Sequence, residues 1–377
     1  QKTAGGNADS NGFGDFFYAP PTGTVAYCTG NLPVADEVDP AQTDDNYPQK
    51  LFSPLTYTGT GSSLANTGLG FKPDWTWIKT ISVYSDSQLT DSTRGVTKPM
   101  SSSTAAAEVT NAQGLKTFDS DGFTVGTDIK YNNNADSYAS MSWRANGGTT
   151  SSNTDGAVTT TVQADPSGGF SIATWSGSGA TATIGHGLSA VPTFFTVKER
   201  SNSNPWRVYA KGAGATKYAS LNTTDAFATG AMWANTAPTS TVFTTPANTE
   251  TNASGRTYVG YFFADTEGYI KSGSYVGNGN DDGTFVYTGF RPAMIIAREL
   301  TADNWLLYDD TRPGYNVTEN ALYVDYRGGG GAGASRAIDF LSNGFKLRTS
   351  NATGNASGGN YIYLCMAENP FKYATAR

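Results

Sequence analysis

Histidine occurs once in this 377-residue chain, cysteine twice, and charged residues make up only 15% of it. So little histidine and cysteine cannot build a zinc centre. It also leaves His186 as the one imidazole base available to a serine or cysteine hydrolase. His186 stands between two glycines in "TIGHGLSAVP", where related stretches of the chain carry no histidine, and it reads as a turn residue. Cys28 and Cys365 each lie inside an apolar strand-like run and read as buried reduced thiols rather than a disulfide framework. No apolar run approaches the roughly 18–20 residues that span a bilayer, so membrane insertion is not expected. Net charge is −7 with a sequence pI near 4.8, and the few Lys and Arg are scattered. Phosphate backbones are held by basic stripes that release counterions, so nucleic acid is not an expected partner.

What the chain does have is 44 glycines, 12% aromatic residues and abundant Thr, Ser and Asn. Short β-prone runs joined by many turns follow from that mixture, and no segment shows a helical period. The fold class expected is all-β. Five Asn-x-Ser/Thr sequons (Asn222, Asn252, Asn316, Asn351, Asn355) are what chance supplies in such a composition and carry no argument for secretion.

The chain also repeats itself. "TGLGFKPDWTWIKT", "IGHGLSAVPTFFTVKER" and "YTGFRPAMIIAREL" share a Gly-rich turn, a proline, a compact apolar run and a basic residue, ending at Lys79, Lys198 and Arg298. An aromatic and glycine phrase precedes each one: "LTYTGTGS", "ATWSGSGA" and "GSYVGNGN". Each copy closes on an Asn/Ser/Gly turn and an alternating aromatic strand, as in "NASGRTYVGYFFAD". Three tandem β-sandwich, jelly-roll-like repeats are therefore expected at 47–169, 170–273 and 274–377. Proline fixes where each apolar run begins and bars helix just before it, so these runs are expected as central strands. In the closing strand of the second copy Tyr258, Gly260, Phe262 and Ala264 alternate with Val259, Tyr261 and Phe263, so both faces bury apolar area, as in an inner strand of a packed sandwich. The Gly/Ser/Thr-rich stretch 146–169 reads as a loop seam between the first two copies.

Residues 1–46 fall outside the repeat. They offer two strands, "DFFYAPP" and "TVAYCT", as the last strands of another β domain, then an extended acidic linker, "NLPVADEVDPAQTDDNYP". Gln1 follows no methionine or leader, and the expectation is the C-terminal part of a longer protein.

Several phrases are specific enough to carry a family likeness: "GLGFKPDWTWIK", "IGHGLSAVPTFFTVK", "LNTTDAFATGAMWANTAPTSTVF", "GYIKSGSYVGNGNDDGTFVYTGFRPA" and "NGFKLRTSNATGNASGGNYIYLCMAENPF". They resemble the repeat-bearing C-terminal region of tail-fibre-like proteins of marine tailed phages. The opening "GGNADSNGFGDFFYAPPTGTVAYCTGNLP" is similar to the end of a SPRY-like or concanavalin-A-like lectin domain. The resemblance implies a virion surface protein, a homotrimer together with other virion proteins, assembled in the host cytoplasm and working in host attachment. It supplies no site residues.

Candidate sites come from residue chemistry. Sugars are held by rings that stack on their C–H faces and by polar groups that pair with their hydroxyls. Aromatics in polar loops fit that need: Trp233 in "GAMWANTAP", Tyr131 in "IKYNNNADS" and Tyr315 in "TRPGYNVTEN". Trp206 and Trp305 recur at one repeat position and read as core. Calcium is the metal whose oxygen donors the chain offers, at Asp119 and Asp121 in "DSDGF" and at Asn278, Asn280, Asp281 and Asp282 in "NGNDDG". The same residues before glycine are ordinary turn formers. No pair of carboxylates stands out as a glycosidase pair.

The expected function is non-catalytic recognition of a host-cell-surface glycan, many weak loop contacts being multiplied by linkage. The alternatives are a structural spacer or capsid decoration, a bacterial adhesin or filament subunit, and a glycan depolymerase.

Overall fold

The computed structural model describes residues 5–32, 50–312 and 316–368. The chain divides into two compact units, 1–45 and 46–377. In the first, the two expected strands are absent from the described residues. One antiparallel bridge joins Asn7 to Phe16, and a short 3-10 turn covers Thr29–Asn31. Asp9 organises this unit instead: its carboxylate accepts the backbone N–H groups of Asn11, Phe13 and Ala26 and the side-chain amide of Asn31. Turn bonds of this kind compete with ladder pairing in a segment so rich in Asn, Asp and Gly. Cys28 is a free, half-buried thiol here, and the buried Cys365 of the second unit is also free.

The second unit is a threefold statement of one strand pattern. The first copy contains β1 (Phe52–Thr58), β2 (Leu64–Thr67), β3 (Trp75–Thr80), β4 (Gln88–Asp91), β5 (Leu115–Asp119), β6 (Gly122–Val125), α1 (Ile129–Asn132) and β7 (Ser137–Trp143). After β8 (Ser151–Asn153) and β9 (Thr160–Asp165) come β10 (Phe170–Ser176), β11 (Ala182–Gly185), β12 (Pro192–Glu199), β13 (Arg207–Ala210), β14 (Lys217–Ser220), β15 (Ala228–Thr229), β16 (Val242–Thr245) and β17 (Thr257–Ala264). The third copy runs β18 (Ile270–Val276), β19 (Phe285–Tyr287), β20 (Pro292–Glu299), β21 (Leu306–Asp309), β22 (Asn320–Tyr323), β23 (Gly331–Ala332), β24 (Ile338–Leu341), β25 (Gly344–Leu347), α2 (Ala352–Asn355) and β26 (Asn360–Ala367). Each copy has a main antiparallel sheet of one order: β1-β7-β3-β4, β10-β17-β12-β13 and β18-β26-β20-β21. Against it lies a small sheet, β2-β6-β5, β11-β16 or β19-β25-β24. The apolar template runs are the interior strands β3, β12 and β20, buried along their length. In the second and third copies the proline entry makes a bulge at one position, Pro192/Phe194 and Pro292/Met294.

The seam expected as loop between copies one and two is partly strand. β9 pairs with β10, and β8 with β9, extending the second main sheet to eight strands. Val162 and Gln163 of β9 are buried there, so this short segment gains a sheet edge that its composition does not announce.

Each main sheet buries both faces. Outward faces pack on the small sheets and make three separate cores, around Phe123 and Tyr138, around Phe195 and Phe262, and around Phe345 and Cys365. Inward faces of all three sheets meet in one common core: Trp75, Trp77 and Trp143 of the first copy, Phe194, Tyr261 and Phe263 of the second, Met294, Ile296 and Leu364 of the third. Trp75 sits at its centre, 4.3 Å between ring centroids from both Trp143 and Tyr261. The copies are therefore not sandwiches laid end to end. They close into a ring about shared apolar area, which explains why β17 and β26 carry apolar residues on both faces; in β7 the outward face pairs Tyr138 with the buried Ser140 and Ser142. Hydrogen bonds cross every seam. Trp206 Nε1 donates to the Ser101 carbonyl (2.7 Å), Trp305 Nε1 to the Ser220 carbonyl (2.9 Å), and Lys79 Nζ to the Tyr326 carbonyl (2.7 Å).

A polar clamp recurs in all three copies. Asn132, Asn252 and Asn355, all fully buried, accept the N–H of Thr60, Ser178 and Asn278 and donate their amides into the same Gly-x-Gly turn. Six residues later Tyr138, Tyr258 and Tyr361 each donate a hydroxyl to the carbonyl three residues before the asparagine, those of Ile129, Thr249 and Ala352, and so hold the segment that carries it. Glycine is required at the turn: a Cβ on Gly59, Gly177 or Gly277 would lie 2.1, 2.1 or 2.2 Å from a carbonyl oxygen.

Candidate ligand-binding surface

Neither described aromatic expected to meet ligand is at the surface. Tyr131 is buried in the first copy's outer core, its hydroxyl 3.2 Å from Thr90 Oγ1. Trp233 is buried edge-on to Phe195, with ring centroids 4.8 Å apart. The turn behind it, with Ala234 and Asn235 at positive φ, returns the ring to the protein. A ring of that size gains more by leaving water than by waiting in it, and neither presents a face for stacking. Tyr315 lies outside the described residues.

The oxygen-rich turns hold themselves together. Asp121 accepts the N–H groups of Gly68 and Gly70, and Asp119 accepts the Thr124 hydroxyl. Asn278 and Asn280 accept the N–H groups of Asn280 and Asp282, and Asp281 accepts that of Ser350. Asp282 pairs with Lys346 (2.6 Å) and Arg348 (3.0 Å), which hold its carboxyl below the usual range. The donors expected for calcium are thus engaged with N–H groups, a hydroxyl and cations. Among the described residues no three of His, Cys, Asp and Glu are grouped to hold a metal.

His186 is fully buried. Leu188 N–H donates to its Nδ1 and its Nε2 faces the Thr239 carbonyl, so the ring sits neutral, and burial pushes its pKa down to about 4. No nucleophile contacts it in these bonds, in keeping with a turn residue.

Exposed aromatic rings gather instead where the first and third copies meet. The loop after β3 carries Tyr84, 63% exposed, and the loop after β22 carries Tyr326, 49% exposed. Their rings stand edge to face, centroids 5.7 Å apart, and Tyr323 lies 6.1 Å beyond Tyr326. Charge surrounds them. Asp86 pairs with Arg327 (2.5 Å) and Lys130 (3.2 Å), and the Arg336 guanidinium lies 5.0 Å from the Tyr323 ring. Ser85 N–H donates to the Arg327 carbonyl, fixing one loop on the other. That approach depends on Gly329 in "YRGGGG": a Cβ there would lie 2.0 Å from the Ile81 carbonyl oxygen. Chemically the ridge offers two phenol rings beside the partly exposed cations Arg327 and Lys130. The search for aromatics in polar loops applies equally to "SVYSDS" and "VDYRGGGG", which hold Tyr84 and Tyr326. Nothing in a linear sequence shows that these two loops meet.

A second feature on the same seam is a cleft of about 390 Å³, lined by Lys50, Ser53, Gly68, Asp310, Thr311 and Glu368 among others. Arg291 Nη1 reaches both carboxylates, Asp310 at 3.3 Å and Glu368 more closely. Burial, followed by the Glu368 charge, raises the Asp310 carboxyl to about 7, so it exchanges a proton near neutrality.

Three copies of one strand pattern closed about one core, with an aromatic ridge on a seam, define an internally triplicated all-β protein. Residues 47–370 match a family model described as a domain of unknown function, DUF7483, and the chain belongs to that family. No curated protein and no solved structure matches it.

Proposed function

We propose that this chain is a non-catalytic, tail-fibre-like virion surface protein that attaches to host-cell glycans, with the Tyr84–Tyr326 ridge as the contact. The observation that carries this reading is the pair of exposed rings set among Arg327, Lys130 and Asp86. Stacking on C–H faces and pairing with hydroxyls are what saccharide recognition requires. Arg327 and Lys130 share the single carboxylate of Asp86, so the ridge keeps a local positive balance that favours acidic sugars against the chain's net charge of −7. The sequence resemblance supplies the virion setting, and the family adds no activity of its own.

The test is titration calorimetry against acidic and neutral polysaccharides, with Tyr84→Ala and Tyr326→Ala beside the parent chain. Each ring contributes on the order of 1 kcal/mol, so each variant is expected to bind roughly fivefold more weakly, and added salt to weaken all three. Glycan binding that both variants leave unchanged would move the site elsewhere. Absence of glycan binding by the parent chain would end the reading.

A further inference from the structure

The third copy leaves a sheet edge open that the second copy covers with its own chain. In the small sheet of the second copy, β11 pairs with β16 on one side, with Ile184 opposite Phe243. Its other side is taken by the segment before β9. Val158 forms a parallel bridge to Ile184, Val158 N–H donates to the Thr183 carbonyl (3.2 Å), and Thr160 Oγ1 donates to the Gly185 carbonyl (3.0 Å). The equivalent strand of the third copy is β19, with Val286 opposite Phe345. Only residues 265–269 separate β17 from β18, so this copy has no preceding segment to lay alongside. Among the described residues, no strand pairs with the outer side of β19.

The pattern of bonds on its inner side fixes what the outer side presents. Leu347 N–H donates to the Thr284 carbonyl and Thr288 N–H to the Asn343 carbonyl. In an antiparallel ladder bonded pairs alternate, so Val286 bonds inward and the N–H and C=O groups of Phe285 and Tyr287 point out. Their side chains share the outer face, 44% and 65% exposed. The corresponding residues of the first copy are Ala65 and Thr67, so this aromatic edge belongs to the third copy alone.

We propose that the β19 edge is a self-association surface, on which β19 of a second copy of this chain pairs antiparallel about a twofold axis at Val286. Phe285 then meets Tyr287 of the second copy, and Tyr287 meets Phe285 of the second copy. Both pairs are of the bonded type, so the outward backbone groups satisfy one another. Two aromatic cross-strand pairs form on the exposed face, the kind of pair that stabilises sheets. The surface is self-complementary, as a twofold interface has to be, whereas a flat apolar edge left bare invites uncontrolled pairing. Three residues a side make the contact weak and reversible.

Sedimentation velocity across a concentration series tests this, on the parent chain, Phe285→Lys/Tyr287→Lys, and Phe285→Pro. The lysines would face each other directly in the pair. The proline deletes an outward N–H and leaves the bonds to β25 in place, since edge strands accept proline with its nitrogen toward solvent. Melting curves matching the parent's show that the variants fold. The expected result is a concentration-dependent monomer–dimer equilibrium, with the dimer lost in both variants. A parent chain monomeric throughout, a trimer or larger assembly, association that the variants do not reduce, or an edge that takes only unrelated peptides would each overturn it.

Discussion

At the scale of single residues, the basic residue that ends each template run is the least comfortable group in the protein. Lys79, Lys198 and Arg298 are all buried, and among the described residues none has a carboxylate within salt-bridge distance. Lys198 is the extreme case: its Nζ donates to the Glu199 carbonyl at 2.7 Å and makes no other hydrogen bond among the described residues. Burial lowers its pKa to about 8, against a smaller opposing pull from Glu199, and Lys79 is lowered to about 8 likewise. The folded state therefore binds these protons less tightly than the unfolded chain. The cost is full below pH 8 and is relieved as pH rises from 8 toward the ordinary lysine value near 10.5. Lys198→Met keeps the length and removes the charge. It is expected to raise stability at pH 7 by about 1–3 kcal/mol and to flatten part of the rise in unfolding free energy above pH 8. Urea titrations at pH 7 and pH 9.5 measure both; a destabilised variant would show that the cation is structurally required.

At the scale of elements, the Asn–Tyr clamp does what hydrophobic pattern alone cannot. A Gly-x-Gly turn has little side-chain area to hold it, so its N–H and carbonyl groups are tied to an asparagine buried beneath it. Asn252→Ala leaves Ser178 N–H and the Ala180 carbonyl without this partner. Ser178 and Ala180 are exposed, so water replaces part of what is lost; at about 1 kcal/mol per hydrogen bond, the variant's urea midpoint is expected to fall by the equivalent of about 1–2 kcal/mol. A substitution at the exposed Thr224, Thr224→Ala, should leave it unmoved. A midpoint unchanged in Asn252→Ala would mean that the turn is held by its backbone bonds, Gly177 N–H to the Arg256 carbonyl and Gly179 N–H to the Asn252 carbonyl.

At the scale of the whole molecule, the shared inward core changes what a copy is. Met294, Ile296, Trp305 and Leu364 of the third copy bury their side chains against the other two copies, so the copy excised as 274–377 would expose them. It is expected to be unfolded or aggregated by circular dichroism and light scattering, while the intact chain melts in a single transition over 46–377. A folded, soluble fragment would show that each sandwich carries its own stability. A charged network binds the first two copies as well. Arg94, fully buried, pairs with Asp91 and Glu108 and donates to the Tyr261 hydroxyl, and Arg200 of the second copy reaches the same Glu108.

The sequence alone determined the class of fold, the threefold copying and the interior strands, because glycine turns, proline entries and runs such as "TYVGYFFA" act locally and leave their mark residue by residue. It also placed Trp206 and Trp305 in the core, since one large ring at one repeat position is easily read. Tertiary structure alone decided that the copies surround a common centre, that 151–165 extends a sheet, that Trp233 and Tyr131 turn inward, and that Tyr84 and Tyr326 stay outside together. The physical reason is that burial is a property of pairs of surfaces. An aromatic in a polar loop has the same neighbours in sequence whether or not another sheet arrives to cover it.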